Sequence, residues 1–231
     1  MSTVAELVAE ITGSPAPVVF LDTCAILDVA RAPAREQSAS VAGAEALCGA
    51  SSEVQPKVYL VVADVVAVEW SDNIAEARKE MARTASVFEH VLTAFAPASL
   101  STVAPPTALA TFRTDLETRS QTLLTACRRI DRDPAATNAA LDRVIAKRRP
   151  SHKKEVKDSY ILEHYRAVAR ALTAVVPLML FVSSNTSDFA ANRGAIDLHP
   201  ELKPDFVVAG LTYAVSIASA VALLRAGGHI P

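Results

Sequence analysis

Cysteine is scarce in this sequence and forms no pattern. Cys24, Cys48 and Cys127 are widely spaced, odd in number and without a CxxC. That excludes a disulfide framework and a cysteine zinc site, and it fits a reducing cytoplasm. The five histidines, at positions 90, 152, 164, 199 and 229, form no HExxH or other paired-ligand motif. No P-loop, GxGxxG or GxSxG occurs, which weighs against nucleotide-binding and serine-hydrolase chemistry. Aromatic residues are few, and a net charge of −2 excludes neither nucleic acid nor small substrates. The opening "MSTVAELVAEITGSPAP" has no basic start followed by an apolar core, so it does not read as a signal peptide. The nearest approach to a membrane span is "FVVAGLTYAVSIASAVALL", residues 206–224, which carries no charge. Its length just meets the roughly 20 residues a spanning helix needs. Gly210, Thr212, Tyr213, Ser216 and Ser219 interrupt it, and no basic cluster flanks it. It divides instead into a short buried strand at 206–208 and a helix over 212–225, so no membrane is expected.

What is present is a globular composition over 231 residues, 51% hydrophobic and 21% charged. That is enough chain for one substantial core. The abundance of alanine favours helices. Nearly continuous apolar runs of strand length recur at 17–21, 58–62 and 178–182. Such runs suit strands buried on both faces, in a parallel sheet covered by helices. Helical patterns fill the intervals: "TVAELVAEI", "AREQSASVAGAEALCGA", a long stretch from Asp64 to about Phe95, "TALATFRTDLETRSQTLLTACRRI", "AATNAALDRVIAKRR" and "KKEVKDSYILEHYRAVARALTAV". The alternation predicts an α/β fold, three-layer α/β/α around a central parallel sheet. The stretch from about 97 to 150 shows helices and no strand signal, and reads as a helical insertion within a single domain spanning 1–231.

Charge is segregated. From Arg128 to Lys157 there are ten Lys/Arg against four acids, a formal +6, which leaves −8 for the rest. A basic block of this kind can position phosphates and steer polyanions; it can equally be a solvated pair of helices.

Carboxylates stand where an α/β sheet binds ligands, outside the carboxyl ends of its strands. Asp22 directly follows "VVFL". Taken alone it reads as the N-cap of a helix starting near Cys24. Asp64 follows "VYLVV" as a second N-cap, and Glu69 sits in the apolar run "VVAVEW". Asp158 falls on the apolar spacing of "KEVKDSYILEHY", beside Lys154 and Lys157. The run "LMLFV" ends in "SSNTSDF", with Asp188 before Phe189. Clustered carboxylates repel one another unless a cation compensates them. Oxygen-rich clusters suit Mg²⁺ or Mn²⁺, which engage phosphates and can activate water for phosphodiester cleavage. An acidic cleft beside a basic segment points to nucleic acid. Asp28, six residues after Asp22, reads as surface; Asp72, three after Glu69, shares its face. Cys24 reads as a small buried thiol rather than a nucleophile, and Trp70 as core rather than a base-stacking platform.

At these residues the sequence resembles the PIN-domain ribonuclease family. The matching stretches are "VVFLDTCAILD", "VVAVEW", "VKDSYIL" and a last motif that in the family reads T-x-D-x-D-F and here reads "SSNTSDF". The resemblance covers about 16–95 and 150–226, and "RRPSHKKEVKD" is similar to the basic lead-in of a larger subgroup with SSN-type last motifs. It implies a PIN-like fold and a cytoplasmic, metal-dependent endoribonuclease that cleaves RNA in line and leaves a 5′-phosphate. By the resemblance Asp22, Glu69 and Asp158 hold Mg²⁺ or Mn²⁺ with Asp188 assisting, and Thr23, Ser184 and Asn185 support the motif. Ser184 takes the Thr position and Thr186 the first Asp position. The fourth ligand is therefore left to Asn185, Asp188 or a water, and capping of the first helix to Thr23. Arg148, Arg149, His152, Lys153 and Lys154 are the candidates for RNA backbone contacts. Many bacterial PIN domains are toxins of toxin–antitoxin pairs, which makes an antitoxin protein and a homodimer candidate partners. Two alternatives stand. A haloacid-dehalogenase-like phosphatase also begins with a strand ending in Asp, but it needs an acid two residues on, where this chain has Cys24. A catalytically degenerate PIN-like module would bind RNA or protein without cleaving, as Thr186 at an acid position suggests.

Overall fold

The computed structural model describes residues 1–35, 38–95, 106–151 and 156–231. The three apolar runs form the centre of the sheet. β1 (Val18–Leu21), β2 (Tyr59–Ala63) and β4 (Met179–Val182) are buried at every position, as strands covered on both faces must be. Two shorter strands, β3 (Arg128–Ile130) and β5 (Thr212–Ala214), flank them. Within this five-stranded sheet every strand pair is parallel, in the order β3-β2-β1-β4-β5.

Helices cover both faces. On one, α2 (Thr23–Ala30) packs with α3 (Ser38–Ser51), α4 (Asp64–Phe95) and α5 (Pro106–Ala126), and α10 (Ile217–Ala226) leans on α3. On the other, α7 (Val156–Leu172) contacts α1 (Val4–Gly13), α6 (Pro134–Ile145) and α9 (Lys203–Ala209). The result is a three-layer α/β/α architecture, consistent with a PIN-like arrangement. Trp70 is core: it is buried and its Nε1 donates to Ser120 Oγ, which donates to the Ile26 carbonyl, tying α4, α5 and α2 together. α4 runs without a break. Among the described residues no helix is long and apolar enough to cross a membrane.

Two expectations are corrected. Residues 206–208 are not a strand but part of α9, and Val207 and Val208 are exposed. The segment "KPDFVVAG" carries start and stop signals of a helix, Pro204 in the first turn and Gly210 at the end. Gly210 adopts φ 65°, and a Cβ there would meet Met179 and Thr173 at 3.2 Å, so glycine suits this reversal. The chain then enters β5 at Thr212, where a helix was expected to begin. Second, the stretch from about 97 to 150 is not purely a helical insertion, because it supplies β3 to the sheet edge. Arg128 and Arg129 are half-buried and Ile130 is buried, the mixed exposure of an edge strand. Arg128 lies over the Tyr59 ring and pairs with Glu10, and Ser2 bridges to Ile130 beyond it.

The strand order has one functional consequence. From β1 the chain winds outward to β2 and β3, then crosses back so that β4 pairs with the other side of β1. The carboxyl ends of β1 and β4 therefore form a topological switch point, where open α/β sheets place their ligands.

Candidate active site at the carboxyl edge of β1 and β4

Asp22 follows β1 at this point and is 4% exposed. Its backbone N–H still donates to the Val182 carbonyl of β4. The carboxylate divides its work. Oδ1 accepts from the Thr23 N–H at 2.7 Å and caps α2. Oδ2 accepts from Ser183 Oγ at 2.7 Å and from the Cys24 thiol at 3.0 Å. Capping thus comes from Asp22 itself and not from Thr23, whose hydroxyl is engaged elsewhere: it donates to Glu69 Oε2 at 2.6 Å. Glu69 lies on α4, one and a half turns after β2, and its other oxygen, Oε1, faces Lys157 Nζ at 3.3 Å.

Burial is the main reason the Asp22 carboxyl is raised above the ordinary carboxylate range, and the negative charge of Glu69 adds to it. Hydrogen bonds from Ser183, Cys24 and Thr23 pull the other way. Two carboxylates joined through one threonine thus share an edge where the charge of Glu69 disfavours ionisation of Asp22.

The turn after β4 completes the site. Ser183 is fully buried; besides holding Asp22, its Oγ accepts from the Asn185 N–H at 3.2 Å. Asn185 Nδ2 reaches toward Asp158 Oδ2 at 3.4 Å, linking the first turn of α7 to the β1–β4 edge. Ser187 Oγ lies 2.8 Å from Asn185 Oδ1 and 3.1 Å from Asp188 Oδ2. Asp188 is buried in the short helix α8 (Thr186–Phe189). Thr186 Oγ1 accepts from the Gly194 N–H, in the following turn. Asp22, Glu69 and Asp158 therefore stand along one chain of bridging groups, Glu69–Thr23–Asp22–Ser183–Asn185–Asp158. Among the described residues no three His, Cys, Asp or Glu side chains form a group able to hold a metal ion.

The remaining candidates fall in different places. Asp72 is exposed. Arg149 Nη1 donates to the Ser187 and Asp188 carbonyls at 2.9 and 3.2 Å, and its N–H to Glu201, so it anchors the α8 turn. Arg148 is exposed, 3.7 Å from Asp205. His152, Lys153 and Lys154 lie outside the described residues. Arg143, counted in the basic block, is buried with Glu163, Asp205 and Arg166.

Sequence reasoning missed two participants. Asp28, expected at the surface, is 5% exposed, with its carboxyl raised chiefly by burial. The criterion applied to Glu69, an acid inside an apolar run, applies equally to Asp28 in "AILDVA". Tyr165 is fully buried; its hydroxyl donates to the Leu21 carbonyl at 2.6 Å and accepts from the Ala63 N–H at 3.1 Å. It braces the carboxyl ends of β1 and β2 just before Asp22 and Asp64, a role no local pattern announces. Burial raises the Cys24 thiol well above its ordinary value, which keeps it protonated and unfit as a nucleophile. A cleft of about 470 Å³ lined by Ala30, Ile74, Met81 and Glu117 shares no residue with the acidic edge. Comparison with protein-family profiles, with curated proteins and with solved structures finds no match.

Proposed function

We propose that the chain is a metal-dependent endoribonuclease of PIN-like type whose working edge is formed by Asp22, Glu69 and Asp158, with Asp188 assisting. The observation that carries this reading is the Asp22–Thr23–Glu69 unit at the switch point: two carboxylates, mutually repelling, one of them almost fully buried. That is a donor set for a hard cation. Mg²⁺ is commonly held by only one or two carboxylates, with waters and substrate phosphates filling its other positions. Asp22 and Glu69 fit that requirement, and Asn185 links Asp158 to the same edge. When bound, the ion would activate a water and stabilise the leaving oxygen of a phosphodiester. The chain's own residues do the positioning: Ser183 orients Asp22, Thr23 orients Glu69, and Asn185 holds Asp158 to the same edge. A toxin of a toxin–antitoxin pair is the setting that goes with this reading.

The test is incubation of the chain with mixed RNA and Mn²⁺, beside EDTA and Asp22→Asn controls. Cleavage that EDTA and the substitution each abolish is expected; cleavage that survives both contradicts the mechanism. One observation favours the non-cleaving alternative. Thr186, at a position where the family carries an acid, turns its hydroxyl to Gly194. RNA binding without Mg²⁺ or Mn²⁺ binding would support that module instead.

A further inference from the structure

Lys157 is hard to explain by stability. It sits in the first described turn of α7, where the helix dipole disfavours a cation. It forms an ion pair with Glu69 Oε1 at 3.3 Å, with the lysine side chain 57% exposed. The Glu69 side chain is 14% exposed, so the pair is open to solvent from the lysine side, where screening limits what it contributes to stability. The contact is nonetheless placed with some exactness: it takes the Glu69 oxygen that Thr23 leaves open, one residue from Asp158 and one bridge from Asp22. An ammonium carries three donors, and this one stands in an ion pair with Glu69 while more than half of the side chain faces solvent.

A phosphodiester reaching this edge brings negative charge toward Asp22, Glu69 and Asp158. A cation already standing on the carboxylate is what such an approach needs. Two arginines of the basic block are committed to the protein, Arg149 to the Ser187 and Asp188 carbonyls and Arg143 to Glu163 and Asp205, while the exposed Arg148 lies toward Asp205 and not toward Glu69. We propose that Lys157 is a phosphate-binding residue of this edge, holding a non-bridging phosphate oxygen of single-stranded RNA beside Glu69. The assignment rests on the nuclease reading and adds to it the residue that receives the strand.

Fluorescence anisotropy of a labelled, mixed-sequence single-stranded RNA tests it, with the full chain in EDTA over a salt series. Lys157→Ala is expected to weaken binding about fivefold at low salt. It should also make the slope of log affinity against log salt shallower by about 0.7, the value for one single-strand phosphate contact. Lys157→Arg is expected to preserve both. If the unsubstituted chain binds RNA and Lys157→Ala matches it in affinity and slope, the assignment falls while the nuclease reading stands. A loss that Lys157→Arg does not rescue also overturns it. An unsubstituted chain that fails to bind RNA overturns the nuclease reading and this assignment together.

Discussion

Asp22 gives one oxygen to the fold and the other to the site. Oδ1 caps α2, and Oδ2 is held by Ser183 and Cys24. On the reading proposed above Asp22 is both cap and metal ligand, since capping takes only one of its two oxygens. Thr23 extends the logic, since its hydroxyl holds Glu69. Groups that orient metal ligands are worth about 10–100-fold in affinity or activity. Thr23→Val is therefore expected to lower Mn²⁺-dependent RNA cleavage by about 10-fold or more with the fold intact, measured by kinetics and circular dichroism. A second residue-scale prediction concerns pH. His164 is fully buried; Nε2 accepts from the Asp133 N–H at 3.0 Å, so Nδ1 carries the proton and donates to the Tyr160 carbonyl at 2.8 Å. Burial is the main cause that lowers its pKa below the usual 6.5. The unfolded chain then takes up the proton first, so the stability this histidine contributes is present above 6.5 and is lost as pH falls from there through the folded value. Protonation would set an N–H against the Asp133 N–H. Denaturant titrations between neutral and mildly acidic pH should show stability falling on acidification, and a flatter dependence in His164→Phe.

At the scale of elements, the centre of the sheet and the placement of the acids were legible, and the edges were not. β1, β2 and β4 are apolar throughout because both faces are covered, and a run such as "VVFL" announces that directly. β3 and β5 are three residues each, half-buried, and read "RRI" and "TYA"; nothing in so short a mixed pattern separates strand from helix. The α9 helix was hidden for the opposite reason. "FVV" looks like a strand until Pro204 and Gly210 are read as its boundaries. The Tyr165 brace was invisible because it joins residues far apart in sequence, through Leu21 and Ala63. Tyr165→Phe leaves a buried carbonyl and a buried N–H without their partner. That costs about 1–3 kcal/mol, observable in denaturant unfolding.

Across the whole molecule, the charge segregation seen in the sequence is only partly a surface property. Arg143, inside the basic block, is buried in a cluster with Glu163, Asp205 and Arg166 that locks α6, α7 and α9 together. Removing one member of such a cluster leaves a buried charge uncompensated, typically about 3–5 kcal/mol. Glu163→Gln is expected to lower Tm by roughly 10 °C, at about 2–4 °C per kcal/mol for a chain of this size. Differential scanning calorimetry checks this. The reading proposed above requires a divalent cation at the edge where β1 and β4 end. Anomalous diffraction from crystals soaked in Mn²⁺ tests it most directly. A Mn²⁺ peak bounded by the carboxylates of Asp22 and Glu69 is expected. A soaked crystal with no peak there, or with Mn²⁺ bound only elsewhere, would contradict it.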